Sequence, residues 1–519
     1  MKRRVFRLPP ILLLIHLAPI APARATVPSP VSLAYSIDLN RRADDLFHVT
    51  LRVSGLTRAN AIYQFASTAP GTYQVMNIGR YVKAFAAYDA SGRQVPAEQV
   101  SVNQWRLSDP ARVRTIRFAV TETWDSPLDH PIYKMCGTSI EPDHVLINPH
   151  AVIGYPEGLQ AAPVRLRLAY PAAWRVGTAL RRGPDGVFVA DNYDRLVDSP
   201  ILLGTLSKAR LVVTGVPIDV YAYSETGKIK ASQLLTAMSG MLHAAGKFLG
   251  KLPVDRYTFL YHFGDASAGA WEHSFSSEYV LQDGEFTDSV GRRVTDIAAH
   301  EFFHIVTPLN IHSEVIEHFN FVTPVPSRHL WLYEGTTEWA AHAMQLRAGL
   351  KTPEDYLATQ IMKMHVDHQS FDTTWSLREL ALTSYSDSGQ AQYGNIYMRG
   401  ALTAGLLDIR LLELSRGQRG LQDLIRELTH KYGKRRAFPD STFVDTLVAM
   451  TRPEIKDFFN RYVWGTEHLP IKEYYAKLGI TLVQDEKGHP VRFVIDPDPT
   501  AEQRVLREAW LGRKPRGAT

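Results

Sequence analysis

Two histidines spaced four residues apart constrain this chain more than any other feature of its sequence. The pentapeptide that contains them begins with His300 and Glu301 and ends with His304. If the segment is helical, both imidazoles stand one turn apart on the same face. They can then bind one zinc ion, and Glu301 can accept a proton from the water that such an ion binds. Apolar residues in helical register over 294–306, ended by Thr307-Pro308, predict that helical setting.

A hydrolytic zinc site needs a third protein ligand, and Glu334 is the candidate for it. This residue lies in the segment 331–339, which opens a second amphipathic helix. One turn further, Glu338 can accept the free ring N–H of a ligand histidine, and Asp296 is an alternative for that position. The other interpretation of the pentapeptide is a helix with a solvated face of histidine and glutamate. Three more histidines between the two segments are expected to be solvated or hydrogen-bonded rather than metal ligands: His312, His318 and His329.

The first 25 residues have the three parts of a secretory signal peptide. Basic residues come first, a short apolar run follows at 11–20, and an Ala-x-Ala sequence ends at Ala25. A membrane anchor is the alternative, but the apolar run is too short to span a bilayer and contains His16 and Pro19. We therefore expect cleavage after Ala25 and export to the periplasm or out of the cell, with no stable membrane span.

Removal of this segment changes the charge balance of the chain. The segment holds five basic residues and no acidic one, so the 58 basic residues of the chain fall to 53, equal to its 53 acidic residues. This neutral balance gives no indication of a nucleic acid partner or of binding to an anionic membrane. The single cysteine, Cys136, excludes an internal disulfide, and a lone thiol is more typical of a core residue than of a nucleophile.

The N-terminal half of the chain has the pattern of a β domain. A length of 519 residues is too great for one hydrophobic core, so two or three domains are expected. Apolar and polar residues alternate in segments such as 47–53, 113–120 and 164–168, which predicts half-buried antiparallel strands. We interpret residues 26–222 as a sandwich-like β domain without catalytic residues of its own.

Beyond this domain the hydrophobic period changes from that of strands to that of helices. Residues 228–249 have apolar side chains at helical spacing, and such patterns continue along the chain with one strand-like piece at 257–261. We interpret 223–482 as a mainly helical catalytic domain and 483–519 as a polar C-terminal tail. The predicted fold class is therefore α+β and multidomain, an N-terminal antiparallel β-sandwich-like domain followed by a mainly helical domain.

The two candidate metal-binding segments resemble those of the glycyl aminopeptidase family of zinc metallopeptidases. Members of this family are gluzincins, with a thermolysin-like catalytic domain and a carboxylate as the third zinc ligand. The resemblance covers roughly residues 30–480 and includes four further stretches: 66–81, 191–200, 269–273 and 397–402. It implies one zinc ion per chain, bound by His300, His304 and Glu334, with Glu301 as the general base.

The resemblance also implies roles for residues outside these two segments. Glu272 would bind the free α-amine of a peptide, with Gly269 and Ala270 beside it in the substrate-binding segment. An ammonium group in a closed cleft needs such a fixed counter-charge. Tyr397 would donate a hydrogen bond to the oxyanion that forms during hydrolysis. Two other residues are alternatives for that last role: Tyr393 and Tyr385.

Two features differ from the family pattern. Family members usually continue into a C-terminal PDZ-like domain, for which residues 483–519 are too few, and residues 305–310 replace a Trp-Asn-Val-Lys-type sequence. We therefore expect a divergent member of the family. The resemblance implies an exported zinc aminopeptidase that acts on peptides or proteins, with a preference for small N-terminal residues. Two alternatives stay open: a zinc endopeptidase with the same site, and a non-catalytic binding or scaffold protein with a retained metal site.

Overall fold

The structure is a computed structural model that describes residues 31–264, 269–434 and 436–513. The predicted signal peptide and its cleavage after Ala25 lie outside these ranges. No helix within them has the length and apolar character that crossing a membrane requires.

Three β-sheets form the N-terminal part of the described chain, which confirms the predicted β domain. Their strands are β1 (Leu33–Asp38), β2 (Leu46–Arg52), β3 (Ile62–Gln64), β4 (Val82–Tyr88), β5 (Gln94–Val95), β6 (Ala97–Ser101), β7 (Gln104–Leu107), β8 (Thr115–Thr121), β9 (Ser139–Ile140), β10 (His144–Ile147), β11 (Tyr155–Pro156), β12 (Val164–Ala169), β13 (Arg175–Thr178), β14 (Arg181–Arg182), β15 (Phe188–Ala190) and β16 (Ile201–Gly204). The sheet orders are β14-β15-β12-β1-β2-β8-β4-β5, β13-β16-β10-β9 and β11-β3-β7-β6. Neighbouring strands are antiparallel apart from β1 and β12, which run parallel.

The alternation seen in the sequence is the pattern of burial in these strands. In β2, Phe47, Val49 and Leu51 are buried, while the residues between them are partly exposed. Aromatic rings fill the space beneath, with the ring centroids of Phe65 and Phe118 5.1 Å apart. The strand β2 thus presents one apolar face to the core, as half-buried strands do.

A further sheet belongs to the catalytic part of the chain. Its strands are β17 (Ser207–Val213), β18 (Val216–Ser224), β19 (Tyr257–Gly264), β20 (Gly269–His273) and β21 (Ser276–Gln282), in the order β17-β18-β19-β21-β20. The predicted strand at 257–261 is confirmed as part of β19, but the expectation of only one strand in this part of the chain is wrong. Both β19 and β21 are buried on both faces, so their sequences lack the alternation that reveals a half-buried strand. The sheet includes residues on both sides of the predicted domain boundary at 222.

Helices make up most of the remaining described chain. They are α1 (Pro149–Val152), α2 (Tyr193–Val197), α3 (Ala231–Leu249), α4 (Asp288–Phe303), α5 (Glu314–Glu317), α6 (Thr337–Arg347), α7 (Pro353–Ser370), α8 (Leu377–Leu382), α9 (Asp387–Gln392), α10 (Asn395–Leu414), α11 (Leu421–Lys431), α12 (Phe443–Met450), α13 (Glu454–Tyr462), α14 (Ile471–Ala476) and α15 (Ala501–Trp510). A wider, π-type turn at Trp331–Thr336 leads into α6. This turn packs against α10 at two glycines, Gly335 and Gly400. A Cβ on Gly400 would lie only 2.8 Å from the Cα of Gly335, so the close approach needs glycine.

The C-terminal segment differs from the predicted polar tail. It begins with a hairpin of β22 (Ile480–Gln484) and β23 (Pro490–Ile495), and α15 follows. Leu506, Ala509 and Trp510 of α15 are buried, and the Trp510 ring lies 5.5 Å from that of Tyr356. The helix was not predicted because its buried face consists of only a few apolar residues, at helical spacing, in an otherwise polar stretch.

Candidate metal and active site

The end of α4 carries the first part of the candidate site. The helix begins after Thr287, whose hydroxyl accepts a hydrogen bond from the Val290 N–H at 3.3 Å. His304 is the first residue after the helix and keeps helical dihedral angles, with φ −60° and ψ −16°. His300, Glu301 and His304 therefore occupy adjacent turns, and their exposed fractions are only 8%, 8% and 1%.

The π-type turn brings a third donor to the two histidines. The Oε2 atom of Glu334 lies 3.3 Å from Nε2 of His300 and 3.5 Å from Nε2 of His304. Zinc bonds of about 2.0–2.1 Å in a tetrahedral arrangement place neighbouring donor atoms roughly 3.4 Å apart. One donor atom from each of the three residues lies within 4.8 Å of the others. The side chains of the three candidate ligands, His300, His304 and Glu334, thus converge at distances suited to one metal ion.

The other ring nitrogens of both histidines already have partners. Nδ1 of His300 lies 2.8 Å from Oε2 of Glu338, and Nδ1 of His304 donates to the Thr307 carbonyl at 2.8 Å. These bonds fix the tautomer in which each Nε2 lone pair faces the centre. Of the two residues considered for the bond to His300, the structure places Glu338 there. Asp296 instead accepts hydrogen bonds at 2.9 Å from two other side chains, Gln345 and Lys351.

Glu338 is itself held by buried polar side chains. Its Oε1 atom pairs with the ammonium of Lys363 and lies 3.3 Å from Nε2 of His342. Burial raises the pKa of the Glu338 carboxyl, but Lys363 and the hydrogen-bonded histidines outweigh it, so that this pKa lies well below its usual range. The carboxylate that accepts the hydrogen bond from Nδ1 of His300 is therefore held in a fixed orientation.

Three buried carboxyl groups crowd the centre of the site. Burial raises the pKa of Glu301 to about 8, an effect that His300 opposes and Glu334 reinforces. The pKa of Glu272 is also raised well above its usual value, first by burial and then by Glu334 and Glu301. Close carboxyl groups in a buried space favour a bound cation, because the cation offsets the cost of ionising them. Both the donor set and its electrostatics thus fit a divalent metal ion.

Residues 70–73, which we call the wall segment, lie against Trp271 and Glu272 of β20. Trp271 of β20 donates from Nε1 to the Pro70 carbonyl at 3.0 Å. Gly71 has φ +79°, and a Cβ at this position would lie 2.3 Å from Oε1 of Glu272. Only glycine therefore fits here, and this segment of the N-terminal part of the chain lies directly against the Glu272 carboxylate. At the other end of β20, Gly269 and Ala270 line the cleft.

Tyr73 of the wall segment is a site residue that the sequence did not indicate. Its hydroxyl donates to Oε1 of Glu334 at 3.4 Å, and its ring centroid lies 5.1 Å from that of Tyr393. Gln390 donates to its carbonyl. The wall segment lies within a stretch that resembles the family, and this was the only signal. Periodicity could not reveal a contact with a residue 261 positions away.

The three tyrosines considered for the oxyanion differ in their position. Tyr397 lines the cleft together with Glu301, and its ring lies 5.5 Å from that of His300. The hydroxyl of Tyr393 is 3.1 Å from that of Tyr397, while Tyr385 packs on Tyr73 with ring centroids 6.2 Å apart. Tyr397 is thus the one whose hydroxyl is held at the cleft, which keeps it as our prediction for the oxyanion role.

The remaining candidates from the sequence lie away from the three donors. Nε2 of His329 donates to the Asp440 carbonyl at 2.7 Å, His312 is buried and His318 is exposed. None of them is part of a possible metal cluster among the described residues. Cys136 is a buried free thiol, and burial raises its pKa well above the usual value.

Two models of one peptidase family match this chain. The Peptidase M61 N-terminal domain model matches residues 34–205, and the M61 glycyl aminopeptidase model matches residues 293–403, a stretch that includes Glu301 and the three candidate ligands. The chain belongs to the M61 glycyl aminopeptidase family. The resemblance inferred from the sequence is thereby confirmed. As an M61 member, the protein is a peptidase.

Solved structures share the fold of this M61 protein at low sequence identity. An aminopeptidase N family protein from Idiomarina loihiensis aligns with a TM-score of 0.77 and 21% identity over 88% of this chain and 81% of its own. An M1 zinc metallopeptidase from Deinococcus radiodurans aligns with a TM-score of 0.52 and 13% identity over 85% and 94% of the two chains. Native yeast LTA4 hydrolase aligns with a TM-score of 0.54 and 12% identity over 86% and 70%. A search among curated proteins gave no match.

Proposed function

We propose that this M61 peptidase is an exported zinc aminopeptidase, which removes N-terminal residues from peptides. The observation that carries the proposal is the position of Glu272 between the candidate site and the wall segment. One of its carboxylate oxygens lies within 4.8 Å of a donor atom of Glu301 and of His304, and the Gly71 backbone lies directly against it. A substrate whose α-ammonium pairs with this carboxylate has no room for a residue further upstream. An endopeptidase would need a cleft that is open in both directions.

The reaction follows from the groups that surround this position. Zinc held by His300, His304 and Glu334 would polarise the scissile carbonyl and lower the pKa of a bound water to about 7. Glu301 accepts the proton of the attacking water on its carboxylate and passes it to the departing amine. Tyr397 donates its phenolic proton in a hydrogen bond to the oxygen that becomes negative. Glu272 holds the substrate N-terminus, so that the first peptide bond lies at Glu301.

The proposed base is tested by Glu301→Gln. We expect this variant to bind zinc as the wild type does and to lose about 10³-fold or more in kcat, because a positioned general base contributes about 10²–10⁴-fold. Metal analysis of the purified variant checks that the ligand set is intact. Full activity in a zinc-containing Glu301→Gln protein would contradict the mechanism.

A second experiment separates the aminopeptidase from its alternatives. Peptides with a free N-terminus are compared with the same peptides acetylated at the N-terminus, with and without a chelator. We expect hydrolysis of the free peptides alone, and its loss when the metal is removed. Hydrolysis of both sets would indicate an endopeptidase, and a purified protein without stoichiometric zinc would favour a non-catalytic binding protein. Export is tested by N-terminal sequencing of the mature protein, which we expect to begin at Thr26.

A further inference from the structure

A groove of about 860 Å³ shares the lining residue Asp296 with the catalytic cleft. It lies between α3, the first half of α4 and the start of α7. Apolar side chains line it together with hydroxyl groups, such as those of Thr236, Thr295 and Thr359, and with several charged side chains. Clefts of 300–1,000 Å³ with an apolar floor and a few polar groups are typical of ligand sites in proteins.

The groove and the catalytic cleft are connected along one stripe of α4. Asp288, Arg292, Asp296 and His300 follow each other at intervals of four residues, and such residues lie on the same face of a helix. The first two line the groove, His300 lines the cleft, and Asp296 lines both. A chain that leaves the cleft over Asp296 therefore enters the groove directly.

The direction of a bound peptide follows from the wall segment beside Glu272. With its N-terminus at Glu272, the peptide extends past His300 toward Gly269 and Asp296, since the wall segment blocks the opposite way. The Asp296 carboxylate is held by Lys351 at 2.9 Å, and its side chain stays 37% exposed. It can thus still accept a hydrogen bond from a passing backbone N–H.

Distances along α4 give the length of peptide that would reach the groove. At 1.5 Å per helical residue, Arg292 lies about 12 Å from His300 along the axis and Asp288 about 18 Å. An extended peptide advances about 3.3 Å per residue, so roughly four residues past the scissile bond reach Arg292 and five or six reach Asp288.

We propose that this groove binds residues four to six after the scissile bond of the substrate, which makes the enzyme an oligopeptide rather than a dipeptide aminopeptidase. This inference rests on the proposed function, because the direction of the peptide depends on amine binding at Glu272. The ligand class is an extended, unmodified polypeptide with a free N-terminus.

The test measures kcat/KM for peptides of two to eight residues that share their first two residues. For the wild type we expect kcat/KM to rise at least about tenfold between three and seven residues and then to level off, since several buried residues each add binding energy. Thr236→Trp on α3 and Thr359→Trp on α7 place an indole in the groove from opposite sides. Both should abolish the rise while leaving the tripeptide rate unchanged.

His243→Trp is the matched control, because His243 is exposed on α3 and lines neither the groove nor the cleft. It should keep the full dependence on length. A wild-type rate that does not change with length, or equal profiles for all three tryptophan variants, would overturn the inference.

A binding measurement distinguishes this inference from the proposed function itself. Fluorescence anisotropy gives the affinity of a labelled octapeptide for the Glu301→Gln protein, with and without Thr236→Trp. One outcome would be that the wild type hydrolyses no peptide, while the octapeptide binds and Thr236→Trp lowers its affinity at least about tenfold. The groove would then be a peptide-binding site, and the proposed aminopeptidase function would be wrong. If octapeptide and tripeptide bind equally weakly, the groove is not a peptide site.

Discussion

At the scale of single residues, the buried ammonium of Lys363 supports the metal site from a distance. Lys363 is 1% exposed and pairs with Glu338, which in turn holds the ring of His300. Lys363→Met would leave the Glu338 carboxylate without its cation in a buried place. Loss of residues that hold metal ligands in place typically lowers metal affinity about 10–100-fold. We therefore expect the zinc affinity of Lys363→Met to fall by a factor in that range. Competition with a chelator of known affinity measures it.

The control for this change is Lys351→Met. Lys351 contacts His342 and Asp296 and so lies one step further from the candidate ligands. We expect a several-fold smaller effect on zinc affinity. Equal affinities for wild type, Lys363→Met and Lys351→Met, at unchanged circular dichroism, would show that Lys363 has no positioning role.

At the scale of structural elements, the wall segment joins the β domain to the catalytic cleft. Gly71→Ala adds a Cβ where only 2.3 Å separates it from the Glu272 carboxylate, so that either the segment or Glu272 must move. We expect kcat/KM for free peptides to fall by more than about tenfold, since a displacement of about 1 Å near a reacting group has effects of that order. Steady-state kinetics with free and acetylated peptides measure the loss.

Gly92→Ala is a control with the same backbone strain. Gly92 has φ +80° in a turn of the same β domain, and its added Cβ would meet no atom within 4 Å. Gly92→Ala should lose about 1–2 kcal/mol of unfolding free energy, because a non-glycine residue is strained at such a φ angle, and Gly71→Ala should lose at least as much because of its added contact with Glu272. Only Gly71→Ala should lose activity. A Gly71→Ala protein as active as Gly92→Ala would exclude the wall segment from substrate binding.

At the scale of the whole molecule, a pair of buried histidines joins the β domain to the catalytic sheet. His144 of β10 and His262 of β19 face each other with their Nε2 atoms 2.9 Å apart. Burial, and then the neighbouring His144, lower the pKa of His262 to about 3. The pKa of His144 is also lowered by burial, which the Asp143 carboxylate opposes. Two further charges act on this pair: Lys134 and Glu225.

Depressed histidine pKa values make the interface sensitive to acid. Below about pH 6.5, His262 binds a proton in the unfolded chain but not in the folded protein. The free energy of unfolding therefore falls as the pH drops from about 6.5 toward 3. His262→Phe should therefore lose about 2 kcal/mol less unfolding free energy than the wild type between pH 7 and pH 5. Urea denaturation at both pH values measures this difference. His243→Phe, an exposed position, should behave as the wild type, and equal pH slopes in all three proteins would refute the assignment.

The sequence by itself determined the features that depend on local spacing. His300 and His304 share a helix face because four residues make about one turn, and this needs no tertiary information. Alternation predicted the β domain correctly, since one face of each strand meets the core and the other meets solvent. Glu334 was the candidate for the third ligand because a carboxylate from a second predicted helix can complete two imidazoles, and the resemblance to the family implied the same set. The structure brings this carboxylate to both imidazoles.

Only the tertiary structure decided what surrounds these residues. The strands β20 and β21 and the contact between Tyr73 and Glu334 left no periodic signal, and the C-terminal helix α15 left only a few apolar residues at helical spacing. In each case burial or partner choice depends on residues far away in the chain, 261 positions for Tyr73. The choice between Glu338 and Asp296 was likewise open, because both lie one turn from a candidate ligand. Side-chain direction and the buried charge of Lys363 placed Glu338 at His300, and no local pattern encodes either of these.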